Sequence, residues 1–148
     1  MAILGIVLVI GFPLIQPPDA RALANEINAA VQRGRFEAVK RDVPVAVRFD
    51  DAGGRITVRA PEAATVAAAC GNDDVVELVV VEAAAYRQGA FSVVGTGVGG
   101  TNNSIVWLPN GRPVTCGGSP NVARTIIVSD ARRSISLVVD VGGRIVRQ

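Results

Sequence analysis

The chain has 148 residues, 49% of them hydrophobic and only 4% aromatic, which fits one domain with a modest aliphatic core. It contains no histidine, so Ser-His-Asp and Cys-His nucleophile systems and histidine-ligated metal sites are excluded. The net charge of +2 is uneven, because residues 1–82 carry eight basic and eleven acidic side chains (−3) and residues 83–148 carry seven and two (+5). A basic C-terminal half is typical of a polyanion-binding protein or of a surface that is merely kept soluble.

The first fifteen residues contain no polar side chain. As a helix they would extend roughly 22 Å, short of the ~30 Å hydrocarbon core of a bilayer. Gly5, Gly11 and Pro13 weaken a helix in water but are common in membrane helices, which favours a membrane or helix-packing segment over a buried core helix. The candidate packing residues, which include small ones that allow close helix approach, are Ile3, Gly5, Val7, Val9, Gly11 and Pro13.

A second helical pattern of different character follows. Asp19 is a suitable N-cap, and residues 20–42 repeat apolar side chains at three- and four-residue spacing. This predicts an amphipathic helix with one buried stripe, containing Leu23, Ile27, Ala30, Val31, Gly34 and Ala38. We therefore expect a spine at residues 1–42, whose first fifteen residues lie in a membrane or filament core, and a globular head at residues 43–148.

Beyond residue 42 the pattern changes to short strands bounded by turn residues. Residues 61–70 are alanine-rich and ambiguous, and 95–100 is a glycine-rich loop without the following helix that phosphate binding requires. A helix followed by antiparallel strands predicts an α+β fold with the helix on one sheet face. The predicted strands are 43–49, 55–60, 74–81, 90–95, 104–108, 124–129, 134–140 and 144–147.

The two cysteines, Cys70 and Cys116, leave two alternatives open. In an exported head they would form a disulfide, whereas in the cytosol both would be buried small side chains. The acidic group Asp73, Asp74 and Glu77 lacks the spaced oxygen ligands of a calcium loop. We therefore expect no metal, no cofactor and no enzymatic activity.

Several segments resemble a known family. Residues 2–15 look like the inner part of the type IV pilin N-terminal helix, ending at that family's proline, here Pro13. The run 105–112, which ends in Leu108-Pro109-Asn110-Gly111-Arg112, is similar to the F-x-P-(D/N)-G-R turn of the GspH/FimT pseudopilins and minor pilins. Further similar stretches lie at 33–38, at 125–129 and at Arg133 and Gly143-Arg144, whereas 60–103 shows none.

The resemblance implies a minor pilin or pseudopilin, a structural subunit of a type IV pilus-like filament that contributes to DNA uptake. The alternatives are a type II secretion pseudopilin for protein export, a DNA-binding receptor pilin that acts through its C-terminal arginines, and a membrane-anchored domain outside any filament. The implied partners are other pilin subunits, the membrane and DNA, with an inner-membrane anchor and an exported head. Because the family's basic leader and buried glutamate are not found here, we expect about nine further helix residues and a leader upstream of Met1, giving a helix long enough to span.

In some members of that family a C-terminal G-R-x-R element contacts DNA. This chain has Gly143-Arg144-Ile145-Val146-Arg147, and the extra spacing would place Arg144 and Arg147 on opposite strand faces. Such arginines would contact phosphates without sequence preference and with marked salt dependence; the alternative is that they only support solubility. The candidate DNA-contacting residues are Arg112, Arg124, Arg132, Arg133, Arg144 and Arg147.

Overall fold

A computed structural model describes residues 19–95 and 103–148 of the chain. The predicted packing segment 1–15 and residues 96–100 of the glycine-rich loop lie outside the described residues. Nine strands, two α-helices and one short 3-10 helix make up the described part.

The first element is the long helix α1, Ala20–Arg41, which agrees with the helix predicted at 20–42. It begins at Asp19, whose carboxylate accepts hydrogen bonds from the backbone N–H groups of Arg21 and Ala22 at 3.0 and 3.3 Å. It ends where Asp42 takes a left-handed backbone conformation, with φ of 56°. All six residues of the predicted apolar stripe are buried, so the helix has one face in the core.

The strands form two antiparallel sheets. The first sheet has the order β3-β2-β1-β5-β6 and the second the order β4-β7-β8-β9. Most predicted strands are found within one or two residues of their expected ends, and 124–129 is found unchanged. The bounds are β1 Val45–Asp50, β2 Arg55–Pro61, β3 Val75–Glu82, β4 Ala90–Val94, β5 Ser104–Trp107, β6 Pro113–Val114, β7 Arg124–Ser129, β8 Ser134–Val139 and β9 Ile145–Arg147.

The core lies between α1 and both sheets, so the prediction that the helix covers a single sheet face is wrong. Helix α1 contacts β1 and β2 of the first sheet and β7 and β8 of the second. One buried cluster joins Leu23 of the helix to Val47 of β1 and Ile126 of β7. The helix approaches β1 closely at Gly34, where a Cβ atom would collide with Val47 and lie 3.1 Å from the Trp107 ring.

Three small elements were not predicted, one of them the 3-10 helix Ala83–Ala85. The alanine-rich stretch forms a short helix, α2 (Val66–Cys70), capped by the Thr65 side chain, and β6 is a two-residue edge strand that begins at a proline. Helix α2 packs on the outer face of the first sheet, against Ala46, Val106 and Val114. A disulfide joins Cys70 to Cys116, with the two Cα atoms 5.8 Å apart, and so ties α2 to the segment after β6.

Candidate functional site

The six candidate DNA-contacting arginines do not form one patch on the exposed surface of the head. Arg112 lies in the turn between β5 and β6, Arg132 and Arg133 lie in the β7–β8 turn, and Arg144 and Arg147 lie in the β8–β9 hairpin. The two turns stand at opposite ends of β8, whose six residues span about 20 Å. The structure therefore separates Arg132 and Arg133 from Arg144 by the length of β8.

Arg124 is not at the surface at all, and its predicted role in DNA contact is wrong. It is only 2% exposed, because alternation along β7 turns it inward with Ile126 and Val128. Its guanidinium donates to the Ser104 carbonyl at 3.3 Å and to Asn121 Oδ1 at 3.0 Å. Burial lowers the pKa of Arg124 to about 10. The residue stabilises the interior of the head instead of contacting a polyanion.

Arg133 takes part in a network at the start of α1. Its Nη2 atom lies 2.7 Å from Asp19 Oδ2, the helix N-cap. Asp130, in the same β7–β8 turn, accepts a hydrogen bond from the backbone N–H of Ala20 at 3.0 Å and others from the N–H groups of Arg132 and Arg133. These backbone donors, Ala20 first, lower the pKa of Asp130. The hairpin thus fixes the helix end at which residues 1–18 join the head.

Arg144 and Arg147 are exposed, but they do not converge. The Arg144 side chain is 79% exposed, and its Nε atom lies 3.8 Å from an Asp140 carboxylate oxygen. Arg147 lies opposite Leu137 in the β8–β9 ladder, on the inward-facing side of the edge strand, whereas Arg144 faces Asp140 across the turn. The preceding Gly143 has φ of +78°, and a Cβ atom there would collide with the Trp107 ring, so this glycine has a packing role.

The outward face of α1 carries an apolar pair that the sequence analysis missed. Phe36 and Val39 are each 55% exposed, off the buried stripe and three residues apart. Arg33 and Lys40 approach the Phe36 ring, with distances of 5.6 and 6.0 Å to its centroid. The sequence did contain a signal for this pair, since two large apolar residues of the predicted helix fall outside the stripe that the spacing predicts. We refer to these two residues as the Phe36–Val39 pair.

A second missed feature is a group of three arginines on the outer face of the first sheet. Arg48, Arg55 and Arg59 line one groove there. The predicted hairpin at residues 50–54 fixes the pairing of the two strands, and side chains alternate along a strand. The shared face of these arginines was therefore predictable from the turn.

Metal ligands do not gather in the described part of the chain. Among residues 19–95 and 103–148, no three His, Cys, Asp or Glu side chains are placed so that they could hold a metal ion. Of the acidic group considered above, Glu77 is instead paired with Arg55 at 3.0 Å. No helix within these residues is both long enough and apolar enough to cross a membrane.

Comparison with known proteins assigns the family. A family model described as Type II transport protein GspH matches residues 23–143, which is most of the chain. The chain belongs to the GspH family. No curated protein matches it.

Solved structures of similar fold agree with this assignment. Two crystal structures of the type IV minor pilin FimU of Pseudomonas aeruginosa strain PAO1 have TM-scores of 0.57 and 0.59 at 18% identity, covering 86% of this chain and 91% and 87% of theirs. The minor pseudopilin EpsH of the type 2 secretion system of Vibrio cholerae has a TM-score of 0.60 at 11% identity, covering 88% of this chain and 96% of EpsH. The predicted pilin-like α+β fold is confirmed.

Proposed function

We propose that this GspH-family chain is a minor pilin or pseudopilin, a structural subunit of a type IV pilus-like filament. The observation that carries the proposal is the placement of α1. Its inner face is held by both sheets of the head, and its outer face presents the Phe36–Val39 pair. In the sequence, the wholly apolar residues 1–15 come shortly before it. A helix anchored in this way, with an apolar pair on its free face, suits packing against the helices of other subunits.

The proposal includes a place in the cell. Residues 1–15 anchor the chain in the inner membrane or in the filament core, and residues 43–148 form an exported head. The disulfide between Cys70 and Cys116 supports export, because such bonds persist in oxidising compartments outside the cytosol. The partners are other pilin-like subunits, which contact residues 1–15 and the free face of α1.

Two filament systems are compatible with this role, a type IV pilus and a type II secretion pseudopilus. FimU is named as a pilus protein and EpsH as a secretion protein, and both share this fold. Deleting the gene separates the two systems. Loss of surface filaments in electron micrographs assigns the pilus, and loss of exported proteins from the medium assigns secretion.

The subunit role itself is tested by complementation of that deletion. Wild type is expected to restore the lost phenotype, whereas Phe36→Asp, Val39→Asp is expected to fail while the head keeps its melting temperature, because both side chains are exposed. The matched control is Val94→Asp, a residue 48% exposed on the face of β4 opposite the buried Phe91 and Val93, which should complement fully. A deletion strain with normal filaments and normal export would contradict the proposal.

DNA contact is the second candidate function. It is favoured by the exposure of Arg144 and by Arg132 and Arg147, which are exposed and whose guanidinium groups form no ion pair among the described residues. These arginines lie on the basic C-terminal part of the chain. Their separation argues for weak contact with phosphates, without base recognition.

The test of DNA contact uses the full chain in neutral detergent, titrated with duplex DNA at about 50 and about 200 mM salt. Binding that weakens with salt, and a salt slope smaller by about two in Arg144→Ala, Arg147→Ala, would support the function. A control with Arg21→Ala, Arg87→Ala removes two exposed arginines elsewhere and should bind as wild type. Absence of binding at low salt would remove this candidate and leave the subunit role intact.

A further inference from the structure

The outer face of the first sheet contains a polar groove of about 250 Å³. Helix α2 and the disulfide cover one end of this face, and the groove occupies the rest. Arg48 of β1 and Thr57 and Arg59 of β2 project to the same side, because Arg48 pairs with Thr57 and Arg59 lies one alternation further along. Asn72, from the loop after α2, completes this part of the lining.

The positive charges in the groove are only partly neutralised. Arg55 lies 3.0 Å from Glu77 and 3.9 Å from Glu82. Arg48 and Arg59 have no carboxylate within 4.0 Å in the described part of the chain. Both donate instead to one neutral acceptor, Asn72 Oδ1, at 2.9 and 3.4 Å. Two guanidinium groups are thus held together by a neutral acceptor, with no carboxylate of the described residues in ion-pair contact with them.

Of the three arginines in the groove, Arg59 is the one that most needs a partner. It is only 7% exposed, and its Nε atom is buried without a hydrogen-bond acceptor. Burial first, and the nearby Arg48 charge second, lower the pKa of Arg59. A buried polar group without a partner is costly, and a buried charge is more so. An anion bound in the groove would supply both a hydrogen-bond acceptor for the Arg59 Nε–H group and a negative charge beside the buried guanidinium.

We propose that this groove binds a carboxylate. The planar guanidinium fork matches a carboxylate bidentately, so Arg59 and Arg48 supply the donors, and the Thr57 hydroxyl lies on the same face. Asp50 and Glu77 also line the groove. Three arginines against these two carboxylates leave the lining with a net charge of +1, which one carboxylate balances and a doubly charged phosphate exceeds. The site is independent of the filament role proposed above.

The test titrates sodium acetate into the full ¹⁵N-labelled chain in neutral detergent, with chloride exchanged to hold ionic strength constant. The Arg59 Nε–Hε resonance is expected to shift saturably with acetate and less with phosphate. The blocked peptide acetyl-Gly-Asp-Gly-amide distinguishes the sources of the ligand. Tighter binding of the peptide than of acetate assigns the site to an acidic side chain of a partner, and the reverse assigns it to a free small acid.

Variants identify the residues responsible. Arg48 is exposed, so Arg48→Gln should fold normally and bind acetate about tenfold or more weakly. Arg59→Lys keeps the charge but loses the fork, and should also weaken binding. The control Arg112→Gln, in a turn outside the groove lining, should bind as wild type. No saturable shift in wild type, unchanged affinity in Arg48→Gln, or tighter binding of phosphate than of acetate would overturn the proposal.

Discussion

At the scale of single residues, Glu37 shows how a charge can lie in the interior of this head. It is 1% exposed on α1, with Arg33 and Arg41 one turn away on either side, each 2.7 Å from a carboxylate oxygen. The hydrogen bond from Arg41 outweighs burial, so the pKa of Glu37 is lowered. The two arginines stay partly exposed, and only the carboxylate is withdrawn from water.

We predict that Glu37→Gln lowers the free energy of unfolding by about 1 kcal/mol at pH 7, because two ion pairs are lost. The folded pKa lies below the unfolded one, so the stabilisation is full above about pH 4.3 and is lost as the pH falls through the folded pKa. Urea unfolding of both proteins at several pH values measures this difference. A difference that grows towards acid would contradict the assignment, and the exposed Glu62→Gln serves as control.

Gly143 allows a second prediction at this scale. Both Gly143 and Gly118 have φ of +78°, but only at Gly143 would a Cβ atom collide with a neighbour, the Trp107 ring. Gly118→Ala should therefore lower the free energy of unfolding by about 1 kcal/mol, through backbone strain alone. Gly143→Ala should lower it by about 1–3 kcal/mol more, because the packed Trp107 ring must also move. Equal losses in thermal unfolding would show that the ring contact is unimportant.

The burial of residues was predictable from the sequence where the pattern was apolar, and the prediction failed where a charged side chain is buried. The α1 stripe followed from spacing alone, since each position in it is aliphatic or small. Arg124 was assigned to the surface because arginine is rarely buried. The alternation of Arg124 with Ile126 and Val128 along the strand indicated an inward-facing side chain, and this pattern gives the position that the structure shows.

At the scale of elements, the disulfide is the feature that most affects stability. It closes a span of 46 residues between α2 and the segment after β6. We predict that Cys70→Ala, Cys116→Ala lowers the free energy of unfolding by up to about 4 kcal/mol, chiefly through the entropy of the unfolded chain. Guanidinium unfolding of the oxidised protein and the double variant measures the loss. Identical midpoints would contradict this expectation, and wild type under reductant should behave as the double variant.

Elements were predictable when their signal was local. Hairpins and the long helix followed from turns, caps and period, and their ends were found within one or two residues. The division into two sheets was not predictable, because the pairings of β1 with β5 and of β4 with β7 join strands far apart in sequence. Strand β6, with two residues, is too short to give a period.

At the scale of the whole molecule, the two sheets hold α1 by its inner face and leave its outer face exposed. The inner face of α1 is packed against both sheets, and its start is fixed by the Asp19, Arg133 and Asp130 network. The N-terminal end of α1 is therefore held in a fixed position on the two sheets. The sequence resemblance anticipated this architecture but pointed to neither the Phe36–Val39 pair nor the arginine groove, although the spacing along α1 and the turn between β1 and β2 contained a signal for each.

The central claim is that the free face of α1 packs against other pilin-like subunits, and in-cell photo-crosslinking tests it most directly. A photoreactive phenylalanine analogue placed at Phe36 should yield a crosslinked species whose partner, by mass spectrometry, is another pilin-like chain. The same analogue at Val94, exposed on the face of β4 opposite the buried Phe91 and Val93, should not yield that species. No crosslink at position 36, or the same partner with equal yield from position 94, would contradict the account.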